Sequence, residues 1–180
     1  MPSQGKQSLL FSAVLVPVAL IILGAFALSA AAVFENLRFA SGTTQILEFV
    51  RQVRSFVNEQ KTFSFNLGEN VWLAMIRFQQ IPRTSLQTNP WGGTIRAIIT
   101  ANTEMSIESD LPSQDCRRMA SYLIGRGPQT LGLLSIAAHS NQDTTWSVIY
   151  PPPPGGQAPT VKAACGPTSL SRLALVFKIK

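Results

Sequence analysis

The side chains able to do covalent chemistry are few. The chain has one histidine, His139, and two cysteines, Cys116 and Cys165. A thiolate nucleophile would need His139 as its base, and the sequence spacing pairs neither cysteine with it. One His and two Cys also cannot complete the usual zinc sets unless carboxylates fill most positions, so no metal site is expected. The acids Glu104, Glu108, Asp110 and Asp115 cluster in sequence. Paired carboxylates can do acid/base work, but their alternation along a strand and into a turn reads as solvent-facing. Gly125-Arg126-Gly127 lacks the preceding strand and following helix of a phosphate-cradling loop. The expectation is a protein with no catalytic residue, no cofactor and no metal, and not an enzyme.

Charge excludes a second class of function. The formal charge is +6 with a pI near 9.9, yet Arg and Lys are scattered singly. Arg117-Arg118 is the only adjacent basic pair, and no cluster is dense enough to follow a phosphate backbone. Nucleic acid is therefore not an expected partner.

The elements that must position these residues begin with a long apolar run. Leu9 to Phe34 contains no charged residue over 26 positions, enough helix to cross about 30 Å of hydrocarbon. Lys6 and the free amine precede it, whereas Glu35 and Arg38 follow and cancel. That bias puts the short N-terminus in the cytoplasm and exports the rest. Pro17 removes a backbone donor within the run, where a bend or loosening is expected. Gly24 and Ala30-Ala31-Ala32 supply small residues that let helices approach closely. Ala27 to Ala32 also has the small-residue spacing of a signal-peptidase site, the competing reading. Against it, the run is far longer than the roughly 7 to 15 residues of a signal core.

Beyond the run, Ile46, Phe49, Val50, Val53, Phe56 and Val57 recur at helical spacing, with Glu48, Arg51, Arg54 and Asn58 opposite. Gly42, in Ser41-Gly42-Thr43-Thr44, costs only about 1 kcal/mol in a helix, so one long helix with a weak point is expected. The apolar stripe would lie on a folded domain. A second helix is expected from Glu69 to about Gln79, capped by Asn66, with Trp72, Met75 and Ile76 buried and Pro82 ending it. Asn89-Pro90-Trp91-Gly92-Gly93 reads as a tight turn. Thr94–Thr100 and Met105–Ser109 then form an antiparallel hairpin through Ala101-Asn102-Thr103.

Pro112-Ser113 opens another helix with Cys116, Met119, Ala120 and Leu123 on one face, ended by Gly125 or Gly127. Leu131–Ala138 and Trp146–Tyr150 read as a second strand pair joined by a polar loop with His139, Asn141 and Asp143. Pro151–Gly156, four prolines and two glycines, can continue neither helix nor sheet. Leu173, Leu175, Phe177 and Ile179 alternate with Arg172, Ala174, Val176 and Lys178, as a half-buried strand requires. The fold class is α+β: a long apolar helix spine on a globular head with an antiparallel sheet. An even cysteine count in an exported chain predicts one bridge, Cys116–Cys165, worth about 4 kcal/mol for a loop of about 50 residues.

In order, an apolar helix running into an amphipathic one, Asn-Pro-Trp-Gly-Gly-Thr at 89–94, Asp-Leu-Pro-Ser-Gln-Asp-Cys at 110–116, Ala-Ala-Cys at 163–165 and an alternating terminal strand resemble the type IVb pilins. The likeness is greatest to the thin-pilus subunits of conjugative plasmids. It implies a helical spine in a filament core, a pilin-like head, and a 116–165 disulfide bounding a C-terminal surface region. Partners would be further copies in a helical homo-oligomer, a prepilin peptidase cutting between Gly5 and Lys6, and an inner-membrane assembly machine. The implied organisation is a leader at 1–5, a membrane and filament-core helix at 6–34, its amphipathic continuation at 35–61 and a head at 62–180. Such a subunit sits in the inner membrane and then in an extracellular fibre serving adhesion or conjugation. Leu10 stands where the family's main subunits usually carry a glutamate, and the first acid is Glu35. A secretion pseudopilin, a minor pilin and a secreted periplasmic binding domain are the alternatives.

Overall fold

In the computed structural model, residues 4–59, 66–78, 87–101, 103–140, 145–152, 154, 159–167 and 170–179 are described, the first eleven of them for backbone only. The chain divides into two units, Met1–Ala40 and Ser41–Lys180. Helix α1, Gln4–Glu59, continues through Pro17 and through Gly42.

The second unit is α+β. Strands β1 (Ile95–Ala101), β2 (Glu104–Pro112), β3 (Leu133–Ser140), β4 (Ser147–Tyr150) and β5 (Leu170–Lys178) form an antiparallel sheet in the order β1-β2-β5-β3-β4. The terminal strand β5 is its centre, which explains its period-two burial. Leu173, Leu175 and Phe177 are buried on the core face, and Ile179 continues the row just past the strand end. The register sets Ile107 opposite Leu175 and Ile136 opposite Leu175 from the other side, so one apolar row crosses three strands. The stripe of α1 from Ile46 to Val57 and the face Cys116, Met119, Ala120 and Leu123 of α3 (Ser113–Gly125) are buried in this unit, as their spacing predicts.

Several boundaries differ from the sequence expectation. Helix α2 runs Val71–Arg77 and is capped by the Asn70 side chain, which accepts from Trp72 N, rather than by Asn66. The Glu69 carboxylate does reach back to Asn66 N at 3.0 Å, but it closes a turn containing Gly68 and not the helix start. Two apt cap residues lie four apart, and the later one wins because Asn70 also bridges to Ile98 at the sheet edge. Trp72 and Met75 are buried and Ile76 is half-buried; Pro82 lies outside the described residues. β3 starts at Leu133 because Pro128–Leu131 is a 3-10 turn ended by left-handed Gly132. His139 therefore belongs to β3 and not to the following loop, while Asn141 and Asp143 lie outside the described residues. A short α4, Val161–Ala164, capped by Thr160, precedes Cys165 and has too few residues to show periodicity.

Candidate functional site

Among the described side chains of the first unit, the apolar residues from Leu15 to Leu37 are exposed all round. Phe26 is 76% and Phe34 71% accessible, with Ile21, Leu23 and Leu28 similarly open. Residues from Leu15 onward meet the length and hydropathy of a membrane-crossing helix. Burying one such side chain contributes about 1.5–3 kcal/mol, so the run strongly favours any apolar surroundings over water. A Cβ at Gly24 would meet nothing within 4 Å, and Ser29 Oγ donates to Ala25 O at 2.8 Å, so this surface presents no unsatisfied hydroxyl there. Leu9, Pro17, Gly24 and Phe34 all lie on α1. Gly5, Lys6 and Leu9 lie on its first turns, with side chains outside the described residues.

On the second unit a groove of about 450 Å³ opens between the outer half of α1 and the Thr130–Leu131 turn. Leu47, Val50, Leu131 and Phe177 give it apolar walls, and Arg51 and Arg54 its rim. The two arginines differ. Both arms of Arg51 are taken by Glu48 at 2.9 and 2.8 Å, and Gln52 adds a 3.0 Å bond to the same carboxylate. These hydrogen bonds hold the Glu48 carboxyl below the usual carboxylate range and push Arg51 upward. Arg54 is half-buried, lies 5.7 Å over the Phe177 ring, and donates one long bond of 3.4 Å to Leu131 O. A Cβ at Gly132 would come 2.9 Å from its Nη1, so glycine there leaves room for the guanidinium.

The Asn89–Gly93 segment is a turn, and Asn89 is its organiser. Its buried amide accepts from Trp91 N at 3.0 Å and Gly93 N at 2.9 Å, and donates to Ser109 Oγ at 3.1 Å and Asp110 O at 2.6 Å. Gly92 takes φ +81°, and Gly92 N donates to Asn89 O at 2.9 Å. Pro90 has the fixed φ such a turn favours at its second position. Trp91 lies against α1 at Gly42, where a Cβ would approach its ring to 2.2 Å. The helix's apparent weak point is thus a seat for the turn's indole.

Cys116 and Cys165 form a disulfide with both residues fully buried. Ser113 Oγ and Ser171 Oγ lie 2.7 Å apart, and Ser171 Oγ donates to Cys165 O, tying α3 and β5 to the bridge. With both thiols oxidised, neither serves His139 as a nucleophile. His139 Nδ1 instead meets Ser140 O at 2.9 Å, and its ring packs edge-on to Trp146 at 4.5 Å.

On the sheet face away from the buried row, the register brings Arg96, Glu108, Asp110 and Arg172 side by side. Arg172 Nε donates to Asp110 at 2.7 Å, Arg172 also lies 3.9 Å from Glu108, and Arg96 lies 3.7 Å from Asp110. Two cations and two anions cancel, so these half-buried acids are ion-pair members rather than an acid/base pair. Asp115 pairs with Arg118 on the first turn of α3 at 3.8 Å. Among the described residues no group of three or more His, Cys, Asp and Glu could hold a metal ion.

The turn, the cysteines and the apolar run are legible in the sequence, whereas the groove and the seat at Gly42 are not. Both arise from residues 49 or more positions apart, and no local pattern signals them. No protein-family model, no curated protein and no solved structure gives a significant match to the chain.

Proposed function

We propose that this chain is the structural subunit of a type IVb-pilin-like filament. Its apolar helix holds it in the inner membrane with the disulfide-closed domain outside the cytoplasm, and the same helix then packs with sister helices as the fibre assembles. The observation that carries this reading is a single helix with two opposite surfaces. Residues from Leu15 to Leu37 expose apolar side chains on every side, whereas Ile46 to Val57 are buried in a folded unit. A helix uncharged from Leu9 to Phe34 can pass from lipid into a bundle of like helices without desolvating a charge. No catalytic role forms part of the proposal: the two cysteines are joined and Glu108 and Asp110 of β2 are ion-paired. An oxidising compartment suits the disulfide.

Intact mass and N-terminal sequencing of the protein from membranes and from sheared surface material of its native host test the reading. A start at Lys6 in fibres supports it. A start near Ala31 or Val33 in soluble periplasm overturns it in favour of a released binding domain.

A further inference from the structure

We propose that the groove beside Arg54 is the receptor for a second copy of this chain, and that the segment it receives is Phe34-Glu35-Asn36-Leu37. The inference rests on the filament reading above and names one contact within it.

The groove asks for an apolar group with a carboxylate. Leu47, Val50, Leu131 and Phe177 make its walls, and Arg54 leaves most of its guanidinium fork uncommitted, since among the described residues its one hydrogen bond is the long one to Leu131 O. Arg51 cannot answer that need in the same way, because Glu48 already occupies it. Glu35 has the complementary character. It is the first acid in the chain, stands on an exposed stretch of α1 between Phe34, 71% accessible, and Leu37, 60% accessible, and its carboxylate has no hydrogen-bond or ion-pair partner among the described residues. A carboxylate flanked by exposed apolar side chains gains most from a cation at an apolar surface, where water screens the pair less.

Glu35 belongs to the first unit and Arg54 to the second, and the contact is drawn between two copies. A second copy supplies its Glu35 segment to the groove beside Arg54. Donor segment and receptor groove are different surfaces, so the contact is heterologous and each copy offers a fresh groove to the next, as an open filament requires.

The test uses the full chain in membranes and sheared fibres of its native host, with isotopically heavy and light copies mixed. A carbodiimide joins a carboxylate to an amine with loss of water, so Arg54→Lys converts the contact into a cross-linkable one. The expected product is an amide from Glu35 to the introduced lysine, linking heavy to light peptides and at least tenfold reduced in Glu35→Gln, a change at an exposed position that leaves the fold alone. Separately, Glu35→Arg and Arg54→Glu each lower fibre yield at least tenfold, and the double exchange restores it. Near-UV circular dichroism of each variant confirms the head is folded. Fibres that form normally in both single reversals, without the heavy-light cross-link, overturn this contact and leave the filament reading standing. Wild-type chain found only as a monomer cleaved near Ala32 overturns both.

Discussion

Gly93→Ala should cost more stability than Gly92→Ala, although only Gly92 has the left-handed backbone that glycine favours. A Cβ on Gly92 meets nothing within 4 Å, so its loss is the backbone term alone, about 1 kcal/mol at φ +81°. A Cβ on Gly93 falls 2.0 Å from the carbonyl oxygen of Asp110 and 3.0 Å from Asn89 Nδ2. Ordinary contact needs over 1 Å more, and the obstacle is strand backbone rather than a side-chain tip. The turn must withdraw from β2, which breaks the Asn89 bonds to Asp110 O and Ser109 Oγ. Leaving buried polar groups unpaired costs about 1–3 kcal/mol each, so the expected loss is about 3 kcal/mol. For a chain of this size the difference of about 2 kcal/mol separates the two melting temperatures by roughly 4–8 °C. Thermal unfolding of the detergent-solubilised chain, followed by near-UV circular dichroism under oxidising conditions, measures it. Equal losses, or a greater loss for Gly92→Ala, refute the placement of this turn against β2.

Gly42→Ala, which in an open helix gains about 1 kcal/mol, should here lose about 1 kcal/mol because the methyl displaces Trp91. The same change in a Trp91→Ala background should stabilise, and additivity of the two in denaturant unfolding would show that they do not touch. Replacing Cys116 and Cys165 together by serine should lower stability by about 4 kcal/mol, from the 49-residue separation of the bridge, and an unmoved melting temperature would rule out its role in closing the fold. Glu48 has its pKa lowered by Arg51 and then Gln52, so its contribution is present above the unfolded pKa and fades as pH falls through the folded one. A carboxyl NMR titration should place its midpoint below the ordinary glutamate value and Arg51→Gln should raise it; a midpoint indifferent to that change contradicts the pairing.

How legible each element was depended on the range of its cause. The stripe Ile46–Val57, the α3 face around Cys116 and the alternation Leu173–Ile179 are periodic, and periodicity is local, so all three were readable. The capping of α2 was not, because Asn66 and Asn70 are equally good caps in sequence and the bridge from Asn70 to Ile98 decides between them. Gly132 read as an ordinary strand residue since nothing nearby in sequence announces Arg54, 78 positions earlier, as its neighbour. Glu108 and Asp110 read as solvated because their partners Arg96 and Arg172 come from different strands, and only the register brings them together.

The same distinction bears on what the family resemblance is worth. Asn89, Gly92 and Gly93 have stated physical duties: the amide that organises four hydrogen bonds, the left-handed corner, the close approach to Asp110 O. Cys116 and Cys165 close the fold. Residues demanded by folding recur wherever that fold is built, whatever the protein does with it, so these motifs argue for a kind of head domain and only indirectly for a filament. The exposed apolar side chains of α1 are different. Folding of this chain does not use Phe26, Leu28 or Phe34, and in water each opposes solubility. Their retention on a helix whose other half is fully used by the fold has to be explained by something outside the single chain. Lipid accounts for the apolar character, but it leaves Glu35 without a partner. On the filament proposal, a second copy accounts for both.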